Sequence, residues 1–179
     1  MDGEQNVVEL IGAQKRFGDQ VVVSDISFVM RRGTITGLLG PSGSGKTTTL
    51  RLILGVYAPT GGEVRVLGVA PSRFTRSQRA RIGYMPQHFV LYPNLSVAAN
   101  LQFVASIYGM GWWRRWKRVR NVLRFVDLWQ DRNKAARHLS GGMKRRVELA
   151  CTLVHSPEVI FMDEPTAGID PILRAKFWE

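Results

Sequence analysis

Residues 40–47, Gly40-Pro41-Ser42-Gly43-Ser44-Gly45-Lys46-Thr47, match G-x-x-x-x-G-K-[ST] at every fixed position. Glycines at 40, 43 and 45 let the backbone turn sharply and aim several N–H groups into one concavity. A helix beginning at Lys46 adds the partial positive charge of its N-terminus. A polyphosphate suits such a loop: Lys46 is predicted to reach the β and γ phosphates, and the Thr47 hydroxyl to ligate Mg²⁺, a hard cation that takes oxygen ligands. A second centre is Asp163-Glu164, which follows the apolar run Val159-Ile160-Phe161-Met162. Carboxylates at the end of a buried strand stand where ligands bind in parallel sheets. Asp163 suits Mg²⁺, and Glu164 suits a general base that orients an attacking water. Gln87, in the Pro-Gln loop into which a buried strand from Arg81 runs, is placed to touch the same metal or water. A third centre opens with Ser140-Gly141-Gly142. Ser140 caps a helix, and two glycines in the first turn bare backbone N–H groups, which makes a second anion site. A plain serine cap would not explain Gly-Gly, which costs roughly 1 kcal/mol per residue against alanine inside a helix.

The elements that position these groups follow from periodicity and punctuation. Residues 34–39 read as a buried strand leading into the loop, and residues 46–54 as a helix stopped by Gly55. That strand-loop-helix setting separates the motif from a Gly/Ser-rich surface turn. Residues 7–11 and 21–30 read as antiparallel strands, and residues 63–68 as a short third one. Phe17, between the first two, could stack on an adenine, although a lone aromatic is more often a packing residue. In residues 88–139, Ser96 is the predicted cap of a helix over 97–108, and a second helix runs from Trp112 to Leu128. Its apolar residues Trp112, Trp116, Val119, Leu123 and Val126 step by 4, 3, 4 and 3 and form one stripe. The cations opposite are either a solvated face or a surface for anionic headgroups or an acidic partner. In the helix after Ser140, Met143, Val147, Ala150 and Val154 form the inward stripe, and Cys151 falls on the apolar side as core filler.

Composition bounds the rest. At 179 residues and 45% hydrophobic content the chain can bury a core as one domain with an inserted subdomain. No apolar run approaches the roughly 18 to 20 residues that cross a bilayer. Residues Asp2 and Glu4 and the missing apolar stretch exclude a signal peptide at the N-terminus, so the expected location is cytoplasmic. The single Cys151 excludes an internal disulfide. The net charge of +11 would draw nucleic acid, anionic lipid or nucleotide, and composition does not choose among them. The cations cluster at 73–81, at 114–120 and at Lys144-Arg145-Arg146.

With these residues in place, the chain resembles the ATPase domain of ATP-binding cassette (ABC) transporters over nearly all its length. Leu139-Ser140-Gly141-Gly142 is similar to the family's signature motif, and Leu139 to Arg146 resembles the exporter branch for drugs, antibiotics and polysaccharides. The resemblance implies an α/β phosphate-loop NTPase core with an N-terminal antiparallel β subdomain and an inserted α-helical subdomain. Core and β subdomain would comprise 1–87 and 156–179, and the helical subdomain with the signature helix 88–155. By position, Phe17 would stack on adenine, while residues 40–47 and Thr48 would hold ATP. Ser140, Gly141 and Gly142 would cover ATP held by a second cassette packed head to tail. Thr47, Gln87 and Asp163 would hold Mg²⁺, with Glu164, Gln87 and Lys46 carrying hydrolysis, and Ala167 to Asp170 would form the D-loop. The implied partners are a second ABC ATPase domain, in a homo- or heterodimer, and a membrane-spanning subunit or domain. ATP-driven closure and hydrolysis would be coupled to export at the inner face of the cell membrane.

An ABC-type ATPase acting on nucleic acid or ribosomes is the alternative. Those relatives carry coiled-coil insertions or two linked cassettes, neither of which is seen here, so no nucleic acid partner is expected. A regulatory cassette without transport is a third possibility. Met143 replaces the commoner glutamine and Phe17 the commoner tyrosine. The family also continues past Glu179 to a histidine that contacts the γ-phosphate, a position none of His88, His138 or His155 occupies. The expectation is therefore a C-terminally truncated cassette that binds ATP and hydrolyses it weakly.

Overall fold

The computed structural model describes residues 6–164. Two compact units make up the chain, Met1–Arg79 and Ala80–Glu179.

In the first unit, β1 (Asn6–Phe17) and β2 (Gln20–Arg31) form an antiparallel hairpin closed by Gly18-Asp19. Next come α1 (Lys46–Ile53) and β3 (Gly61–Val66), with β3 on the other edge of β1, giving the order β2-β1-β3. A single 3₁₀ turn, Pro71–Arg73, and the short α2 (Arg76–Arg79) follow. Val8, Leu10 and Ala13 of β1 are buried, and the change of spacing between Leu10 and Ala13 coincides with a register shift. One extra residue in a strand flips the face of everything beyond it, and the bulge restores the apolar phase. α1 brings Leu52 and Ile53 into this core and ends in the bond pair Val56 N–H to Arg51 C=O and Gly55 N–H to Leu52 C=O. Gly55 supplies the left-handed residue which that ending needs.

Residues 34–39 do not form the expected buried strand. They lie in no ladder among the described residues, and Ile35 and Leu39 are 84% and 93% exposed. Apolar composition matches a strand buried on both faces, but a strand exists only where its N–H and C=O groups meet a neighbour. The sheet β2-β1-β3 provides none for it. The nearest bonds are those of a turn, from the Thr34 N–H and hydroxyl to Arg31 C=O.

In the second unit, β4 (Ile82–Met85) precedes α3 (Val97–Ile107), α4 (Trp112–Phe125), a 3₁₀ turn at Ala136–His138, α5 (Gly141–Leu153) and β5 (Val159–Met162). β4 and β5 are parallel, paired from Ile82↔Val159 to Met85↔Met162. Ser96 caps α3, accepting the Ala99 N–H at 3.1 Å. The three helices bury Leu101, Ala105, Val119, Leu123, Val147, Ala150 and Val154 in one cluster. Each fully buried leucine contributes roughly 1.5–3 kcal/mol. The predicted stripe of α4 is core only in its second half. Val119, Leu123 and Val126 are buried together with Val122, while Trp112 and Trp116 remain 61% and 48% exposed. Spacing puts residues on one side of a helix, and burial also needs a facing element. No helix among the described residues is long and apolar enough to cross a membrane.

Candidate functional site

The loop before α1 is held by its own backbone. Gly45 is the N-cap with φ 87° and no side-chain capping bond, and the first helical bond is Thr49 N–H to Gly45 C=O at 2.8 Å. The N–H groups of Lys46, Thr47 and Thr48 therefore have no acceptor inside the helix. Lys46 curls back over the loop, its Nζ donating to Gly40 C=O and Pro41 C=O, each at 2.7 Å. A polyphosphate oxygen would compete with those two carbonyls for the same ammonium. Residues 40–44 are exposed, as is Thr47. Phe17, the last residue of β1, meets the Tyr57 ring edge to face with centroids 5.2 Å apart, and Lys15 Nζ lies 5.0 Å from the Phe17 centroid. Tyr57 went unnoticed in the sequence because it sits in the turn cluster after Gly55.

In the second unit the ends of β4 and β5 bring Gln87, Asp163 and Glu164 together. The last ladder pair is Met85↔Met162, and the Asp163 N–H continues it by donating to Met85 C=O at 2.9 Å. Gln87 and Glu164 each stand two residues beyond that pair, and Gln87 Nε2 donates to Glu164 Oε2 at 2.7 Å. Committing the amide nitrogen to Glu164 leaves the amide oxygen of Gln87 available to a cation. Glu164 has φ 48°, a left-handed backbone that non-glycine residues adopt rarely and at local cost.

Arg145, in the cationic triplet after the signature, is no surface charge. It is 1% exposed, and its guanidinium ties three segments together. Nη1 donates to Pro86 C=O at 2.8 Å and to Glu148 Oε2 at 3.0 Å, while Nη2 donates to Glu164 C=O at 2.8 Å and to Asp163 C=O at 3.3 Å. Glu148, 4% exposed, accepts the Val90 N–H through Oε1 at 2.9 Å. Burial pushes its carboxyl above the ordinary carboxylate range, against the bonds from Val90 and Arg145 that favour the charge. Thr152 one turn on is also buried and bonds Glu148 C=O through its hydroxyl. Arg145, Glu148 and Thr152 recur at i, i+3 and i+7, which is a polar buried stripe, and opposite charges three apart were the signal for it.

Ser140 caps α5 as expected, its Oγ accepting the Met143 N–H at 3.3 Å. Ser140 and Gly141 are exposed at this end. Cys151 is half-buried against the helical core, and burial, then the Glu148 charge, pushes its thiol up to about 12. His155 stacks on Tyr108 with centroids 3.7 Å apart and bonds Ile82 C=O, and burial holds its pKa below the usual 6.5. The candidate Mg²⁺ donors, the Thr47 hydroxyl, the Gln87 amide oxygen and the Asp163 carboxylate, are all oxygens, which fits a hard cation. No group of three or more His, Cys, Asp and Glu capable of holding a metal occurs among the described residues. The loop residues 40–48 and Phe17 belong to the first unit, whereas Gln87, Ser140, Gly142, Asp163 and Glu164 belong to the second. The predicted D-loop, Ala167 to Asp170, lies outside the described residues.

A family model described as ABC transporter matches residues 23–167. A probable multidrug ABC transporter ATP-binding protein of Escherichia coli (strain K12) is 38% identical over 174 residues, covering 97% of this chain and 30% of that protein. A Nod factor export ATP-binding protein I of Ralstonia nicotianae is 41% identical, covering 99% of this chain and 55% of its own length. A linearmycin resistance ATP-binding protein of Bacillus subtilis (strain 168) is 39% identical, covering 90% of this chain and 52% of its own. The chain thus spans between about a third and a little over half of these relatives. Among solved structures, an ATP-binding subunit of an ABC transporter superposes with a TM-score of 0.82 at 29% identity, covering 94% of this chain and 70% of that one. CbiO1 of Clostridium perfringens, part of the transporter complex CbiONQ, superposes at 0.88 with 28% identity, covering 97% and 71%.

Proposed function

The chain belongs to the ABC transporter family, and on that premise we propose that it binds ATP with Mg²⁺ and hydrolyses it as the ATP-binding part of an exporter. A membrane-spanning subunit or domain and a second ATP-binding domain would be its partners, at the inner face of the membrane. The names of the relatives support export, since they speak of multidrug transport, Nod factor export and linearmycin resistance. The observation that carries the catalytic reading is the Gln87–Glu164 bond at the end of a parallel ladder that also presents Asp163.

In this reading the N–H groups at the start of α1 and the Lys46 ammonium bind the phosphates, and Phe17 stacks on the base. Thr47, Gln87 and Asp163 would hold the Mg²⁺, which when bound neutralises charge on the β and γ phosphates. Glu164, held by Gln87, orients a water so that its oxygen attacks the γ phosphorus. The bond from that phosphorus to the bridging oxygen breaks, ADP leaves, and the water's proton passes to the carboxylate or to phosphate. Ser140 and the N–H groups of Gly141 and Gly142 would close over ATP bound to the partner domain.

Two variants test this in the purified chain. Lys46→Ala is expected to weaken binding of a fluorescent ATP analogue about tenfold or more, the loss of one charge-assisted contact. Glu164→Gln is expected to retain binding and abolish turnover, and to shift from monomer to dimer in light scattering when Mg-ATP is added. Equal ATP affinity in wild type and Lys46→Ala would overturn the reading.

A further inference from the structure

The exposed half of α4 carries a pattern that the nucleotide chemistry leaves unused. Trp113, Trp116, Lys117, Arg120 and Arg124 recur at i, i+3, i+4, i+7 and i+11, which is one helical stripe. It runs beside the buried stripe of Val119, Val122, Leu123 and Val126 rather than through it. Trp113 is 85% exposed. α4 carries cations at 114, 115, 117, 118, 120 and 124 and no acidic residue. Among the described residues, none of these cations is in a salt bridge. The Arg118 guanidinium is spoken for by Leu153 C=O and Val154 C=O of α5. Asp131, in the segment after α4, pairs with Lys134 at 2.6 Å.

Indoles and guanidinium groups interleave here. Arg120 lies 5.6 Å from the Trp116 ring centroid and 5.9 Å from that of Trp129, and Arg124 lies 5.7 Å from Trp129. The Arg120 Nε is shut off from solvent with no hydrogen-bond acceptor. We infer that this stripe docks α4 on the anionic phospholipid headgroups of a bilayer. Unpaired cations match the headgroup phosphates in charge, and tryptophan favours the same depth, where its ring is half desolvated and its N–H still finds a partner. A single-stranded nucleic acid would use the cations equally well, but it needs open aromatic faces to stack on. At Trp116 and Trp129 those faces already carry a guanidinium. The helix stays packed through its valine and leucine stripe while its flank lies on the headgroups.

The test uses the full chain and no nucleotide, so its failure and a failure to bind ATP are separable. The chain is sedimented with phosphatidylcholine vesicles and with vesicles that also contain phosphatidylglycerol, at low and high salt. Expected are binding to the second kind only, release by salt, and about a hundredfold weaker binding by Lys117→Glu/Arg124→Glu. Trp113→Ser, at a position too exposed to affect folding, is expected to weaken binding several-fold without changing its salt dependence. Absence of binding, equal binding to both vesicles, or wild-type affinity in both variants would overturn the inference. Capture of single-stranded DNA or an acidic peptide by the same stripe in preference to vesicles would also overturn it.

Discussion

Arg145 and Glu148 form a buried charge pair, and such pairs behave differently when one partner is removed than when both are. Arg145→Met leaves the Glu148 carboxylate 4% exposed with the Val90 N–H as its remaining strong donor, and it releases the carbonyls of Pro86 and Glu164. Breaking a buried pair in this way costs about 3–5 kcal/mol. Arg145→Met/Glu148→Leu removes both charges and fills nearly the same volume, so its net cost should be only about 1–2 kcal/mol. The carbonyls it frees are half-buried or exposed and can turn to water. A double-mutant cycle should therefore show a coupling of at least about 3 kcal/mol. All five tryptophans lie between residues 112 and 178, in the second unit, so denaturant titration followed by their fluorescence reads this unit. Activity should part from stability in the same protein. With the guanidinium gone, the segments after β4 and β5 lose their shared tie through Arg145 and keep the Gln87–Glu164 side-chain bond. The double variant should hold ATP with near wild-type affinity while kcat falls about tenfold to a hundredfold. Costs that add to within about 0.5 kcal/mol, or a double variant with wild-type kcat, would refute the claim that this pair positions the catalytic groups.

Three further outcomes are expected. At Gly45 an added Cβ would sit 2.7 Å from Val22 C=O, whereas at Gly43 it would meet nothing within 4 Å, although both have positive φ. Gly43→Ala should thus cost about 1–2 kcal/mol of conformational strain and Gly45→Ala clearly more, with equal melting temperatures for the two counting against the loop geometry. The Cys151 thiol, pushed up to about 12, should resist an aromatic disulfide reagent at neutral pH and react only in denaturant, so that rapid stoichiometric labelling of the folded chain would contradict its placement. Because burial lowers the His155 pKa, the fold holds the neutral ring. Its contribution is present above the unfolded value near 6.5 and lost as pH falls from there through the lower folded value. His155→Phe, which keeps a ring against Tyr108, should flatten the fall in melting temperature between about pH 7.5 and about pH 5.5, and an unchanged slope would exclude this origin.

Features set by neighbouring residues were legible in the sequence. The loop at 40–47, the caps at Ser96 and Ser140 and the stop at Gly55 each depend on a few adjacent backbone groups, and the structure forms all four. What escaped depends on which element faces which. Residues 34–39 have the composition of a central strand and no neighbour among the described residues. The α4 stripe is continuous in spacing, but the cluster of α3 and α5 covers only its second half. Arg145 was hidden in a basic triplet, since a run of cations looks solvated whichever of them turns inward. Only its phase against Glu148 and Thr152 marks it.

The parallel register of β4 and β5 also acts as a gauge. Gln87 and Glu164 meet because each lies the same number of steps past Met85↔Met162, and one residue added to either side would shift its member about 3.3 Å along the strand. A side-chain bond of 2.7 Å has no slack for that. Insertions and deletions in this fold should therefore be excluded from the two short spans 85–87 and 162–164, or occur in both at once. α3, α4 and the turns around them can lengthen or shorten without disturbing this register, whereas α5 is held to it by the bonds from Arg145 to Pro86 C=O and Glu164 C=O.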